Sequence, residues 1–453
     1  MPQEQTSLNR KDLYKEIVNL GFPSFIETLF ITFTSVIDSK MVSALGVGAI
    51  SAVSVTNQPR LFIFSIFFAL YTVTSSLVAK YYGKQDRDAA NMVLDHVLKL
   101  VVILSIVLGF LSVVLAKPLM LLFSGQPDTM ADSVVYFRIV MGGMIFNHVF
   151  VAINSALRGF GKTRMTLISN VISSAVNLFC NYLLITGHWG FPAWGIAGAA
   201  VATVLGTVAA CITCICFMLN EELYVNLPYC AKHKHHISPE SLREIAGLTK
   251  SCATDNIAMR ATLLAISSIT ARIGSFYMSI YAIGNYLLNV NFALGTGLQT
   301  SAVALVGKSY GAEDKEKINQ YKNALMRIGF ISAVIVGALI IISGKAFFGF
   351  FSDDPKFISV GARSCLLIGA VTIPQTLKFV LNGCMQGVGA MREVMIASIL
   401  AFSVVNLGMV AFTILVLHMN IYGVWISSLL SQTSQTLMLY YFMRHNEAFS
   451  GGK

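Results

Sequence analysis

The chain has 453 residues, 55% of them hydrophobic and only 12% charged, about half the charged share of an average soluble protein. That balance excludes water as its main solvent. The formal net charge of +10 comes with no nucleic-acid motif, so the positive excess is assigned to membrane topology and anionic lipid, and nucleic acid is not expected as a partner.

The first fifteen residues carry Arg10, Lys11 and Lys15 but also Glu4 and Asp12, with no small-residue cleavage site before the first apolar run. The first helix is therefore expected to be retained. Twelve runs long enough to cross a bilayer follow, near 16–38, 55–79, 95–116, 134–156, 166–186, 196–218, 247–271, 276–306, 324–346, 360–384, 394–417 and 421–443. They are about twice the length of a spanning β-strand and do not alternate apolar with polar residues, so a β-barrel is excluded. The expected fold is an all-α integral membrane protein. With a cytoplasmic start, 19 Lys and Arg fall in cytoplasmic loops, 4 on the other side and 9 inside spans. This asymmetry places both termini in the cytoplasm of a multi-pass cell-membrane protein.

Ionisable groups at membrane depth cost about 2.5–3.5 kcal/mol and usually face a cavity or a partner. In the first span Glu27, Thr34 and Asp38 follow i, i+7, i+11 and share one narrow face, interrupted by Ile31 at the i+4 position. Thr28, Thr32 and Ser35 adjoin that face. The fourth span carries Asn154, and the fifth an unbroken stripe of Asn170, Ser174, Asn177 and Asn181. Carboxamides on this stripe can meet Asp38, and Thr203 of the sixth span adds an oxygen ligand. The alternative is that such Asn, Ser and Thr residues only bind helix to helix. For Asp38 a functional role outweighs that reading: a carboxylate removed from water holds a proton more readily, which makes it a candidate proton carrier.

The segment 219–246 contains Pro228, Pro239 and the run Lys232-His233-Lys234-His235-His236. It reads as a cytoplasmic linker with a solvated charge run rather than a metal site. Cys211, Cys214 and Cys216 lie in a span and are expected to act as small hydrophobes. The seventh span carries Asp255 and, five residues on, Arg260, a possible charge partner of Asp255 or Glu27. Lys378 of the tenth span is open between structural and substrate roles. Gly307-Lys308-Ser309 ends like a P-loop, but Ala302 stands where its first glycine is needed. No resident metal or cofactor is expected, and no enzymatic constellation is found.

The sequence repeats itself at an offset of 228. Leu70 to Gly83 aligns with Leu298 to Gly311 without a gap, at seven identities in fourteen positions. The same offset joins Gly46 to Gly274, Asn57 to Asn285, Asp86 to Asp314, Asn154 to Asn382, Gly161 to Gly389 and Arg164 to Arg392. Six spans per half give both halves the same orientation. They form two six-helix bundles related by a pseudo-twofold axis along the membrane normal. The expected divisions are 1–218 for the N-lobe, 219–246 for the linker and 247–453 for the C-lobe. Glu27 maps to Asp255, whereas Asp38 maps to Ile266, so ion chemistry is expected in the N-lobe.

Over essentially its whole length the chain resembles the multidrug and toxic compound extrusion (MATE) family. The resemblance rests on Pro23 with Glu27 and Asp38, Leu45-Gly46, Tyr82-Gly83 with Asp86, Ala156 to Arg164 (ALRGFGKTR), Val176-Asn177-Leu178, and Gly195 to Thr203 (GIAGAAVAT). It implies a monomeric antiporter that exports cationic or amphiphilic drugs or metabolites, coupled to entry of H+ or Na+. It further implies an N-lobe site at Asp38, Asn177 and Thr203, where Na+ would also bind. Asn181 departs from the pattern, since many members carry an acid there; fewer carboxylate oxygens favour a proton over sodium. Asp255 resembles a seventh-helix acid of some branches, while Ser251 replaces the usual proline. A lipid-linked oligosaccharide or lipid flippase of related fold is the alternative. It would call for more cavity-facing cations than Arg60, Arg138, Arg260 and Lys378 provide.

Overall fold

The computed structural model describes residues 10–123, 127–233 and 239–449. His235 and His236 lie outside them. Among the described residues the chain is helical and has no strand. The first three spans are Arg10–Ser43, Val47–Gly83 and Arg87–Val114. The fourth is bent by 48° where Met130–Gly142 meets Met144–Gly159. Thr163–Leu184 and Gly195–Met218 complete the first half. The second half comprises Pro239–Ala271, Ser275–Gly311, Lys315–Phe351, Pro355–Gly387, Met391–Val416 and Ile421–His445.

Nine of these helices, and the bent pair as a tenth, are long and apolar enough to cross a membrane among the described residues. The seventh and twelfth fall short in hydropathy for a physical reason. The seventh carries Lys250, Asp255 and Arg260. The twelfth turns Ser427, Ser431, Gln432 and Gln435 inward, where they are buried in protein. With these two, the spans number twelve, six in each half.

The duplication is visible in the backbone. Gly46 and Gly274 precede the second span of each half at φ 105° and 104°, a conformation that only glycine adopts readily. Gln85 and Glu313 both have φ 59°, and Gly161 and Gly389 have φ 83° and 81°. Asp86 and Asp314 cap the third span of each half, accepting from Ala89 N at 2.9 Å and Lys317 N at 3.0 Å.

Two compact units emerge, Met1–Phe25 with Ile257–Lys453, and Ile26–Asn256. Both cuts fall inside the opening span of a half rather than in 219–246. In the first unit, Leu13 and Ile17 share a core with Leu298, Leu325 and Val380. In the second, Phe67, Leu94, Phe137 and Leu157 form the core. There the start of the linker is tied to the third span: Arg87 donates to Leu223 O and Tyr224 O, both at 3.1 Å, and Asn226 N donates to Asn91 Oδ1 at 2.9 Å.

Lipid-immersed helices associate through close packing of small residues. In the sixth span Gly198, Ala202, Gly206 and Ala210 recur every fourth residue, and all are buried. A Cβ on Gly206 would lie 2.8 Å from Ser173 O and 2.9 Å from Asn177 Cβ. The sixth span therefore rests directly on the fifth at the level of Asn177.

Candidate coupling site

Asp38 lies half-buried near the end of the first span and meets the fifth. Asn181 Nδ2 donates to its Oδ1 at 2.8 Å. Asn177 turns its amide nitrogen to the same carboxylate, 2.9 Å from Oδ1 and 3.0 Å from Oδ2, while its oxygen accepts from Thr203 N at 3.2 Å. The opposite amide orientation would set oxygen against oxygen. Thr203 Oγ1 donates to Ala199 O at 2.9 Å, which leaves its lone pairs available. Asn181 Oδ1 is buried and has no hydrogen-bond partner among the described residues.

A cavity of about 110 Å³ opens beside this group, lined by Asp38, Asn57, Tyr136, Asn181 and Thr203 with apolar Val42, Ile50 and Val53. Asp38 is the one charged residue in that lining. Arg60 lies one turn from Asn57 and donates to its Oδ1 at 2.7 Å.

Glu27 and Asn154 are placed elsewhere. Glu27 is buried and pairs with Arg158 Nη2. It also accepts from Asn170 Nδ2 at 2.8 Å and from the Thr166 hydroxyl at 3.0 Å. Asn154 Oδ1 accepts from Ser169 Oγ at 3.3 Å and Cys214 Sγ at 3.2 Å. Neither Glu27 nor Asn154 lines the cavity at Asp38. Thr34, between the two carboxylates, has its hydroxyl buried without a partner among the described residues. Thr32 and Ser35 bond back to Thr28 O and Ile31 O, both at 2.9 Å, so these two hydroxyls are satisfied within their own helix.

In the seventh span Asp255 and Arg260 fall in different compact units, and the ion-pair partner of Glu27 is Arg158 rather than Arg260. Lys378 Nζ lies 4.9 Å from the centre of the Phe379 ring. Cys211 and Cys214 are buried, Cys216 is exposed, and His233 stacks on Tyr229 at 3.9 Å. Sequence reasoning missed Arg158 because it placed residue 158 in a loop, whereas the helix runs to Gly159. A recurring spacing held the missed signal: Thr166 and Asn170 precede Asn177 and Asn181 by the interval that separates Glu27 from Asp38.

A single family model, MatE, matches residues 23–183 and again 252–413. The chain belongs to the MatE family. The double match falls on the two halves of the internal repeat. A probable multidrug resistance protein NorM of Thermotoga maritima is 22% identical over 450 residues, covering 98% of this chain and 94% of that protein. An outward-facing multidrug resistance MATE family transporter of the MOP superfamily superposes with a TM-score of 0.88 at 20% identity, over 98% of each chain. A MOP superfamily transporter from Pyrococcus furiosus, described with a reversed binding-pocket polarity suggesting a different function, superposes at 0.86 and 19% identity, over 98% of each chain. The likeness of this MatE-family chain to those structures is one of fold.

Proposed function

We propose that the chain is a secondary active multidrug exporter of the cell membrane. It moves cationic or amphiphilic compounds outward by antiport with protons, through alternating access, as a monomer with both termini in the cytoplasm. It is a transporter and not an enzyme. Multidrug resistance in the names of its relatives supports the substrate class.

One observation carries the coupling step. Asp38 is a carboxylate at membrane depth whose bonded partners are neutral amides, beside a cavity with no other charge. Such a group gains most from a mobile cation, because no fixed one compensates it. A proton needs one carboxylate oxygen, whereas sodium needs several oxygen ligands. Asp38 faces amide nitrogens and has no second carboxylate beside it, which favours the proton. Loading then neutralises Asp38 and loosens its hold on Asn177 and Asn181; unloading restores the charge that recruits a cationic substrate.

The test uses everted membrane vesicles of a pump-deficient host. An imposed acid interior should drive accumulation of a cationic dye, and Asp38→Asn, at equal expression, should abolish it. Accumulation that follows a sodium gradient and ignores a proton gradient would overturn the proton reading.

A further inference from the structure

Glu27 and Asp38 stand on matching supports. They are 11 residues apart, and so are Thr166 and Asn177, and Asn170 and Asn181. Eleven residues make three helical turns and about 16 Å of rise, so the same faces of the first and fifth spans meet twice. At each meeting one carboxylate of the first span receives donors from two residues four apart on the fifth. The two rungs differ in charge. Arg158 of the fourth span pairs with Glu27, and among the described residues no Lys, Arg or His takes that place at Asp38.

We infer that Arg158 is a tethered cation that permanently fills the Glu27 rung, so that Glu27 is a positioning residue and Asp38 the single exchangeable cation site of the ladder. The inference rests on the proton-coupled reading above. Glu27 is buried and the Arg158 side chain is 29% exposed; an ion pair taken out of water is weak evidence of net stability, and fixing register is its best-attested use. Here the pair sets the rotation and depth of the first span, which brings Asp38 to Asn177 and Asn181 three turns on.

The groups facing Glu27 are Arg158, the Cys214 thiol of the sixth span and the neutral Thr166 and Asn170. Those facing Asp38 are Asn177, Asn181 and Thr203, with Tyr136 across the cavity and Arg60 held by Asn57. The Asp38 rung has no sequence counterpart in the second half, where Asp38 maps to Ile266. There Arg158, Asn177 and Asn181 map to Gln386, Val405 and Met409, and Gln386 accepts from Gln299 at 2.9 Å.

The test is infrared difference spectroscopy of the full-length protein in lipid, following the carbonyl band of protonated carboxyls from high to low pH, alongside dye transport. The wild-type band should vanish in Asp38→Asn and persist in the double variant Glu27→Gln/Arg158→Gln. That double variant should transport several-fold more slowly with its pH midpoint moved upward, because a carboxylate less well held by the Asn177 and Asn181 amides keeps its proton to higher pH. Arg158→Gln alone should add a second titrating band that the double variant lacks. Loss of the wild-type band in the double variant, or no added band in Arg158→Gln, overturns the inference. The double variant leaves no unpaired charge, so its band decides the matter even if the single variant does not fold. Gradient-driven transport surviving in Asp38→Asn, with the bands as expected, would instead sink the functional reading and leave the ladder intact.

Discussion

Two carboxylates of one helix, three turns apart, have opposite surroundings. Glu27 has a guanidinium partner and is fully enclosed; Asp38 has amide partners and a cavity. The difference comes from single residues. Asn181 stands where an acid would make a two-carboxylate site, and a hard cation favours carboxylate oxygens. Asn181→Asp should therefore make dye transport respond to sodium, measured in vesicles at fixed pH with and without a sodium gradient; an unchanged indifference to sodium would count against this site. Outside the spans, Asp314 offers a pH test. Burial raises its carboxyl, but hydrogen bonds and charge from Lys317 outweigh that and hold it below the usual carboxylate range. A depressed folded-state value contributes stability above the unfolded value of about 3.9, lost as pH falls through the folded one. Asp314→Ala should cost about 1 kcal/mol at pH 7, as cap removal does. The gap from wild type in thermal unfolding should close in acid.

At the scale of helices, the spans were legible because hydropathy is a strong signal at bilayer length, while their ends and partners were not. Helices such as Ser275–Gly311, with 37 residues, extend about 55 Å, well beyond the roughly 30 Å hydrocarbon core. Residues that composition assigns to loops are therefore helical, Arg158 among them, half-buried where it reaches Glu27. Composition sees a charge and expects water; only the three-dimensional neighbourhood shows Glu27 beside it. The polar stripe of the fifth span was legible from its i, i+4, i+7, i+11 spacing, because all four side chains had to share a face. The close approach of the fifth and sixth spans makes its own prediction. Gly206→Val puts methyl groups where Ser173 O and Asn177 Cβ already stand. It should cost about 1–3 kcal/mol, the usual price of overpacking, and should displace Asn177. Lower melting temperature together with weakened transport checks both, whereas a variant as stable and active as wild type would contradict the packing.

Across the whole molecule, the two halves share turns, caps and glycine positions at an offset of 228, and one family model matches each of them. Their charges are shared only in part, Glu27 meeting Asp255 and Asp86 meeting Asp314. Asp38 meets Ile266 in the repeat, and Arg158 meets Gln386. The boundary between compact units was the least legible feature, because contacts cut the chain inside the first and seventh spans, where composition does not change. The scaffold is duplicated, whereas the proposed coupling carboxylate, Asp38, has no counterpart in the second half. Reconstituted protein loaded with a cationic dye tests this most directly: dye movement against its own gradient is recorded under an imposed proton gradient for wild type, Asp38→Asn and Asp255→Asn. The expected result is gradient-driven transport in wild type and Asp255→Asn and none in Asp38→Asn. Proton-driven transport that survives in Asp38→Asn would contradict it.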